Sequence, residues 1–324
     1  MTLSEIQQPI KSELAEFEKR FRASMKSSVP LLDKIMMYIL KQKGKQMRPL
    51  FVLLSAKLNN EIKDSTYIAA SLIELLHTAT LVHDDVVDEA DERRGMFSLN
   101  AIWKNKISVL TGDYLLSRGL LATLENKEYA LLEIVTRAVK EMSEGELLQL
   151  EKARNFNATE DVYYEIIRKK TASLIAACCA CGVASTGANT EKIDILWKFG
   201  ELVGLAFQIK DDIFDFQENA KTGKAAGNDI KEQKFTLPLI FALNKSSYLE
   251  RRKVIRLIKS ANTEPSTLVF VRNFVIEKGG INYSQNKMIE FVNEAKLLLM
   301  KNFDESEARK YILELVDYTI LREK

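Results

Sequence analysis

Two acidic clusters with the same spacing stand out in this 324-residue chain: Asp84-Asp85-x-x-Asp88 and Asp211-Asp212-x-x-Asp215. Residues four apart share a helix face, so Asp84 stacks over Asp88 and Asp211 over Asp215. Carboxylates massed at the end of an apolar helix repel one another and are costly to desolvate. Mg²⁺ relieves that cost, because it keeps several waters and binds through a few carboxylates plus the phosphate oxygens of a substrate. Cationic side chains are interleaved with the acids: Lys45, Arg48, Arg93, Arg94, Lys170, Lys210, Lys224 and Lys234. Guanidinium groups match phosphate oxygens in pairs. If the two acidic ends face each other across a helical bundle, acid and base surround one apolar cavity. Such a cavity suits a greasy molecule with a diphosphate head.

Each feature has a plainer reading by itself. In a chain that is 28% charged, one DDxxD arises by chance. A lone histidine such as His77 is more often a satisfied core residue than a ligand. Lys170 in an apolar helix can snorkel, and lysines in a polar loop are by default solvated. Gln208 may bond only a neighbouring backbone. Joint occurrence is what favours the chemical reading.

The elements that position these residues read as helices. Leu72, Leu75, Leu76, Ala79, Val82 and Val86 recur at three- and four-residue spacing, marking a buried helix in the stretch 71–95. No proline occurs between Pro49 and Pro238, and no strand-like alternation is evident. The spacing predicts further helices at 31–41, 50–59, 109–124, 129–153, 159–185 and 190–216, and an all-α fold. The polar stretch 217–236, with Lys224 and Lys234, reads as a lid. No linker divides the chain, so one domain over 1–324 is expected. Formal net charge is only +2, which argues against a nucleic-acid footprint and against strong attraction to an anionic membrane. The start carries no secretory signal, and runs such as 174–184 are too short to span a bilayer. Three cysteines crowded at Cys178, Cys179 and Cys181 read as buried free thiols in a reducing cytoplasm.

With these residues in view, the chain resembles the trans-isoprenyl diphosphate synthases, or polyprenyl synthetases, over roughly residues 30 to 300. The matching motifs are G-K-x-x-R-P at 44–49, E-x-x-H at 74–77, L-V-H-D-D-V-V-D at 81–88, R-R-G at 93–95 and G-D-Y-L at 112–115. K-T-A-S-L at 170–174, F-Q-I-K-D-D-I-F-D at 207–215, T-G-K at 222–224 and K-F-T-L-P-L at 234–239 continue the match. The resemblance implies an antiparallel helical bundle around a deep central cavity, Mg²⁺ dependence and a homodimer. It implies isopentenyl diphosphate and an allylic diphosphate as substrates, with the product passed to membrane enzymes. Asp84, Asp85, Asp88, Asp211, Asp212 and Asp215 would hold Mg²⁺ on the allylic diphosphate, which Arg93, Lys170, Lys210, Lys224 and Lys234 would also bind. Lys45, Arg48, His77 and Arg94 would bind isopentenyl diphosphate, and Thr171 and Gln208 would steady the allylic cation. Three positions depart from the family pattern: Lys43-Gly44-Lys45-Gln46 replaces Gly-Gly-Lys-Arg, Phe97 replaces a proline, and Gln233 replaces a glycine.

Product length is expected to be set below the first cluster, where the family places a bulky aromatic to stop elongation early. Here Ala79 and Thr80 are small, so elongation should continue past Leu76 and Leu72. The expectation is an all-trans product longer than geranylgeranyl, in the hexaprenyl to decaprenyl range, with Ala79→Phe shortening it. A geranylgeranyl or farnesyl synthase is the alternative. A terpene cyclase would normally lack the second DDxxD, and a phosphohydrolase built on His83-Asp84 would want more histidines than His77 and His83. A non-catalytic regulatory subunit would be expected to have lost one acidic cluster, and both are intact.

Overall fold

The structure is a computed structural model and describes residues 1–42, 44–59, 61–155, 159–217, 227–260 and 265–321. It divides into two compact units. The first comprises Met1–Arg137, Ala177–Trp197 and Phe303–Ile312, and the second comprises Ala138–Ala176, Lys198–Asn302 and Leu313–Lys324.

In chain order the helices are α1 (Leu3–Gln7), α2 (Lys11–Ser24), α3 (Pro30–Lys41), α4 (Met47–Asn59) and α5 (Asp64–Val87). A two-stranded ribbon follows, β1 (Glu92–Arg93) and β2 (Met96–Phe97). Then come α6 (Leu99–Glu125), α7 (Tyr129–Asn155), α8 (Glu160–Ile167), α9 (Ser173–Ala184) and α10 (Thr190–Asp215). The remaining helices are α11 (Asn228–Lys231), α12 (Leu237–Asn244), α13 (Tyr248–Lys259), α14 (Pro265–Glu277), α15 (Gly280–Asn302) and α16 (Glu307–Leu321). The all-α expectation holds. The ribbon was not foreseen, because two residues per strand carry no periodicity to read.

In the first unit, α5 packs along α6 and also against α4 and α2. Its Leu75, Ala79 and Val82 join Met25, Ile35, Met36, Leu99 and Leu115 in one cluster. A fully buried leucine there contributes roughly 1.5–3 kcal/mol. By length and composition α5 is apolar enough to cross a membrane, which the sequence reading passed over; 56% of its most apolar window is buried by protein packing. Asp88 closes α5, its N–H bonding Asp84 O at 2.8 Å. Ser98 then opens α6: its Oγ accepts from Ala101 N and donates to Ala90 O, so one side chain fixes both the exit from α5 and the entry to α6. Helix α6 starts ten residues before the predicted start, with a break at Lys104 (φ 66°, ψ 168°).

In the second unit, the expected helix 159–185 is interrupted. Arg168–Ala172 forms a π-helical turn between α8 and α9, and it carries Lys170 and Thr171. The run that follows it, to Ala184, is rich in small residues. The structure shows close contact: a Cβ on Gly204 would lie 2.5 Å from Ala172 Cα, and one on Gly200 2.6 Å from Ala176 Cα. Helix α10 therefore lies directly on the π turn and the first turn of α9. Farther along the chain, Phe216, Ile230, Leu239, Val254, Ile258 and Phe274 gather into a core.

Candidate functional site

The two acidic clusters fall in different units, and in each the three aspartates are sorted by burial. In the first unit Asp84 and Asp88 are exposed, whereas the Asp85 side chain is only 3% exposed. Asp85 accepts from Arg93 Nε at 2.5 Å. Burial pushes its pKa up and Arg93 holds it back. Arg93 reaches this position because β1 and β2 pair Glu92 with Phe97 and Arg93 with Met96. The turn residues Arg94 and Gly95 both have positive φ, 53° and 73°. That is the geometry of a two-residue hairpin turn, strained for any residue but glycine. The Arg94 guanidinium donates to Gln42 O at 2.9 Å and lies over Gly44, where a Cβ would come within 2.8 Å of Nη1. The glycine of G-K-x-x-R-P thus makes room for Arg94.

Beside them are Arg48, Glu74 and His77. Arg48 Nε and His77 Nε2 are buried without a hydrogen-bond partner. Burial lowers the Arg48 pKa while the charge of Glu74 raises it. Burial raises Glu74, opposed by Arg48 and Arg94. His77 is pushed well below its ordinary value, first by burial and then by Arg48, Arg94 and Arg93. A pocket of about 80 Å³ is lined by Gly44, Gln46, Glu74, Asp85, Arg93 and Arg94, among others. The lining sets Glu18, Glu74 and Asp85 against Arg22, Arg93 and Arg94, and near it the two orphan nitrogens of Arg48 and His77 mark polar capacity that the protein does not use. This arrangement suits an anion. Glu74 was quoted in a motif but given no role by the sequence; its burial is what shows it.

Lys45 is exposed on the approach to α4. Leu76 is fully buried, and Thr80 is half-buried with its hydroxyl donating to His77 O at 2.9 Å. Ala79, by contrast, packs into the cluster with Ile35, Met36, Leu99 and Leu115. It lies about 140° around the helix from Asp84, whereas Thr80 lies about 40° away. The small side chain at 79 thus meets other helices of the first unit, and of the two small residues Thr80 lies nearer the face of Asp84. His83 turns toward α6, with Nε2 3.2 Å from Val109 O and 3.4 Å from Asp113 Oδ1.

In the second unit Asp211 is exposed, Asp215 is half-buried and Asp212 is 4% exposed. Asp215 Oδ2 accepts from the Asp229 backbone N–H at 3.0 Å. Asp212 accepts from Gln208 Nε2 at 2.8 Å and from Tyr163 OH at 2.6 Å. Its pKa is raised well above the carboxylate range by burial and by Asp229, against the pull of Tyr163 and Gln208. Thr171 Oγ1 donates to Gln208 Oε1 at 2.8 Å, so the two expected cation-steadying residues are in direct contact. Lys170 pairs with Glu146 and also reaches Gln149 Oε1 at 3.4 Å. The π turn can approach α7 this closely because Gly145 has no Cβ; one there would lie 2.7 Å from Lys170 N. Lys210 Nζ sits 4.5 Å from the Phe214 ring centroid. Lys234 pairs with Glu232. Gln233, at the family's glycine position, has φ 56°, which is the physical reason a glycine is favoured there. Lys224 and T-G-K lie outside the described residues. Tyr163, Glu146 and Asp229 were missed, since neither spacing nor charge sets them apart in the sequence.

Among the described residues no three His, Cys, Asp or Glu side chains already form a metal cage. Paired exposed carboxylates without a cage are the donor set that Mg²⁺ uses when a substrate phosphate completes its shell. Asp84, Asp88 and Asp211 fit that description. Asp85 and Asp212 instead face Arg93, and Tyr163 with Gln208.

Comparison with known proteins agrees with these features. A family profile described as Polyprenyl synthetase matches residues 29–273. The chain is 36% identical to an all-trans-nonaprenyl-diphosphate synthase (geranyl-diphosphate specific) of Rhodobacter capsulatus, covering 95% of this chain and 94% of that protein. It is 35% identical to a decaprenyl-diphosphate synthase of Dictyostelium discoideum, covering 92% of this chain and 64% of that longer protein. A solved polyprenyl synthase of Caulobacter crescentus, complexed with calcium and isoprenyl diphosphate, superposes with a TM-score of 0.91 at 32% identity, covering 100% of this chain and 98% of that one. A geranylgeranyl pyrophosphate synthase of Bacteroides thetaiotaomicron superposes at 0.83 with 36% identity, covering 98% of each chain.

The His77 environment makes a pH prediction. With its folded pKa below the ordinary value of about 6.5, the folded protein binds fewer protons than the unfolded chain just below that pH. Stability at this residue therefore falls as pH drops through that window. His77→Gln should lose less melting temperature than wild type between pH 7.5 and pH 5.5; equal losses would remove His77 from the account.

Proposed function

The chain belongs to the polyprenyl synthetase family and is a trans-prenyltransferase, and from that premise we propose that it condenses isopentenyl diphosphate with an allylic diphosphate to make a long all-trans polyprenyl diphosphate. The observation that carries this reading is the pair of buried, unpartnered donors Arg48 Nε and His77 Nε2, in the same unit as the pocket lined by Arg93 and Arg94 and as the exposed pair Asp84 and Asp88. A pocket with spare donors next to carboxylates without a cage is what one bound diphosphate and one metal-held diphosphate require.

Asp84 and Asp88 in the first unit, and Asp211 with Asp215 nearby in the chain in the second, would hold Mg²⁺. When bound, Mg²⁺ neutralises the allylic diphosphate and draws off charge as the C1–O bond breaks. Arg93, Lys170, Lys210, Lys224 and Lys234 bind that same diphosphate, Lys170 exchanging Glu146 for phosphate oxygens. Lys45, Arg48, His77 and Arg94 hold the diphosphate of isopentenyl diphosphate, with His77 kept neutral by its surroundings. The electron pair of the C1–O bond leaves with the diphosphate. The isopentenyl double bond attacks C1 and forms the new carbon–carbon bond, and a proton then leaves C2 of the new unit to the departed diphosphate. Thr171 and Gln208 turn their oxygens toward the cation, and exclusion of water keeps it from being quenched.

Incubation with isopentenyl diphosphate, farnesyl diphosphate and Mg²⁺, followed by product sizing, tests this. Asp84→Asn should lower turnover by about a hundredfold or more. Wild type that makes no prenyl product would end the proposal and leave the regulatory-subunit reading.

The product is longer than geranylgeranyl, in the hexaprenyl to decaprenyl range. The names of the nonaprenyl and decaprenyl relatives favour this, and no aromatic stands at Leu76 or Thr80. The geranylgeranyl synthase neighbour supplies the alternative. Thr80→Phe should shorten the products while Ala79→Phe mainly lowers stability by overpacking. A product ladder unchanged in Thr80→Phe would exclude that wall.

The enzyme works as a homodimer through α6. Leu110, Asp113, Ser117, Leu121 and Leu124 make one stripe, and its leucines are 59%, 46% and 49% exposed. The double variant Leu110→Asp/Leu121→Asp should scatter light as a monomer; a mass unchanged from wild type would rule out this face.

A further inference from the structure

Four side chains in the second unit form a continuous chain of hydrogen bonds. Tyr163 OH donates to Asp212 Oδ2 at 2.6 Å, Gln208 Nε2 donates to Asp212 Oδ1 at 2.8 Å, and Thr171 Oγ1 donates to Gln208 Oε1 at 2.8 Å. Tyr163 and Thr171 lie on one continuous run, α8 into the π turn. Gln208 and Asp212 lie one turn apart on α10. Tyr163 and Asp212 are each only 4% exposed, so water has little access to replace either partner.

The direction of these bonds has a chemical consequence. The Gln208 amide has a donor end and an acceptor end, and only its surroundings decide which faces Thr171. Both Asp212 oxygens accept, Oδ2 from Tyr163 and Oδ1 from Gln208, so Asp212 draws the NH₂ end to itself and leaves Oε1 facing Thr171. The single hydroxyl hydrogen of Thr171 is then spent on Oε1. Both oxygens are left with lone pairs to present, which favours a cation. The reversed amide would aim its NH₂ at Thr171 and leave the threonine hydrogen free to point outward, which disfavours a cation. Asp212 can hold this polarity only if its own orientation is fixed, and Oδ2 has one donor from another helix, Tyr163.

We infer that Tyr163 is a positioning residue for the condensation: by clamping Asp212 it fixes the polarity of the Gln208 amide, so that Gln208 and Thr171 offer oxygens to the developing allylic cation. The inference rests on the function proposed above and extends it to a residue that touches neither diphosphate. Without the Tyr163 hydroxyl the carboxylate can rotate off Gln208, and a buried oxygen is left without a donor. Asp212 thereby gains a defined task inside the protein, distinct from that of its exposed neighbour Asp211.

The test compares two probes by titration calorimetry with Mg²⁺ and pyrophosphate present. One is the 3-aza analogue of geranyl diphosphate, whose ammonium mimics the cation. The other is geranyl S-thiolodiphosphate, which has the same head and tail and does not ionise. Tyr163→Phe should weaken the ammonium probe by about tenfold, keep the thiolo probe within about twofold, and lower kcat with KM for both substrates little changed. In a Gln208→Ala background Tyr163→Phe should have no further effect. Asp212→Asn, whose side chain no longer dictates the amide, should discriminate between the probes in the same way and serves if Tyr163→Phe fails to fold. Equal weakening of both probes, no weakening of either, or full additivity with Gln208→Ala would overturn the inference alone. Wild type that binds neither probe and makes no product would overturn the functional reading and this inference with it.

Discussion

Adjacent carboxylates on an apolar helix cannot all remain charged, close and turned the same way, because mutual repulsion and desolvation both oppose it. Each acidic cluster answers that constraint in the same manner. One aspartate of each neighbouring pair turns inward and is met by donors from another element, and the other stays out. Asp85 takes Arg93 from the ribbon, and Asp212 takes Tyr163 from α8 and Gln208 from its own helix. The inward aspartate sets the orientation of the cationic or amide group it holds. The outward ones, Asp84, Asp88 and Asp211, stay exposed. The ribbon at 92–97 and the π turn at 168–172 exist where these partners must be delivered, and both are irregular pieces in a chain of otherwise regular helices.

Close approach is the second requirement, and glycine meets it. A guanidinium can lie over residue 44, and the π turn can lie against residue 145, only because neither position has a Cβ. The same holds for α10 at Gly200 and Gly204, where any side chain would push Gln208 away from Thr171. These four glycines thus mark places where backbone or charge comes near.

The parts of the molecule governed by periodicity were readable in the sequence. Helices α5, α7 and α10 carry apolar residues at regular spacing, and the limits of α7 and α10 fell within a few residues of the expected ones, whereas α5 both starts and ends earlier than the stretch 71–95, whose last residues form the ribbon. Asp84, Asp88, Asp211, Arg48, His77, Thr171 and Gln208 were legible because their types and spacing are improbable together. Tyr163, Glu74, Glu146 and Asp229 were not, since each acts through a partner distant in sequence and has no pattern of its own. The inward turn of Asp85 and Asp212 was equally hidden: spacing places a residue on a face, but burial depends on what packs against it. At Gln233 the sequence showed a departure from a family's glycine, and the structure supplies its physical meaning, a left-handed backbone.

The two units treat their cations differently, and the proposed chemistry gives a reason. In the first, the diphosphate of the incoming isopentenyl unit stays attached throughout the reaction. A rigid receptor suits it, and Arg48 and Arg94 are planar, permanently charged and held by burial or by Gln42 and Gly44. The allylic diphosphate, proposed to meet Arg93 as well as the lysines of the second unit, is instead a leaving group whose charge grows as the bond breaks. Lysines on flexible stems suit that task, and Lys170 and Lys234 are each parked on a glutamate, Glu146 and Glu232. A glutamate partner keeps the ammonium charged and near the site, yet it is surrendered readily to a better-charged phosphate, since a half-exposed ion pair is worth little. Binding is thus strongest where the substrate must not move and most exchangeable where a product must depart.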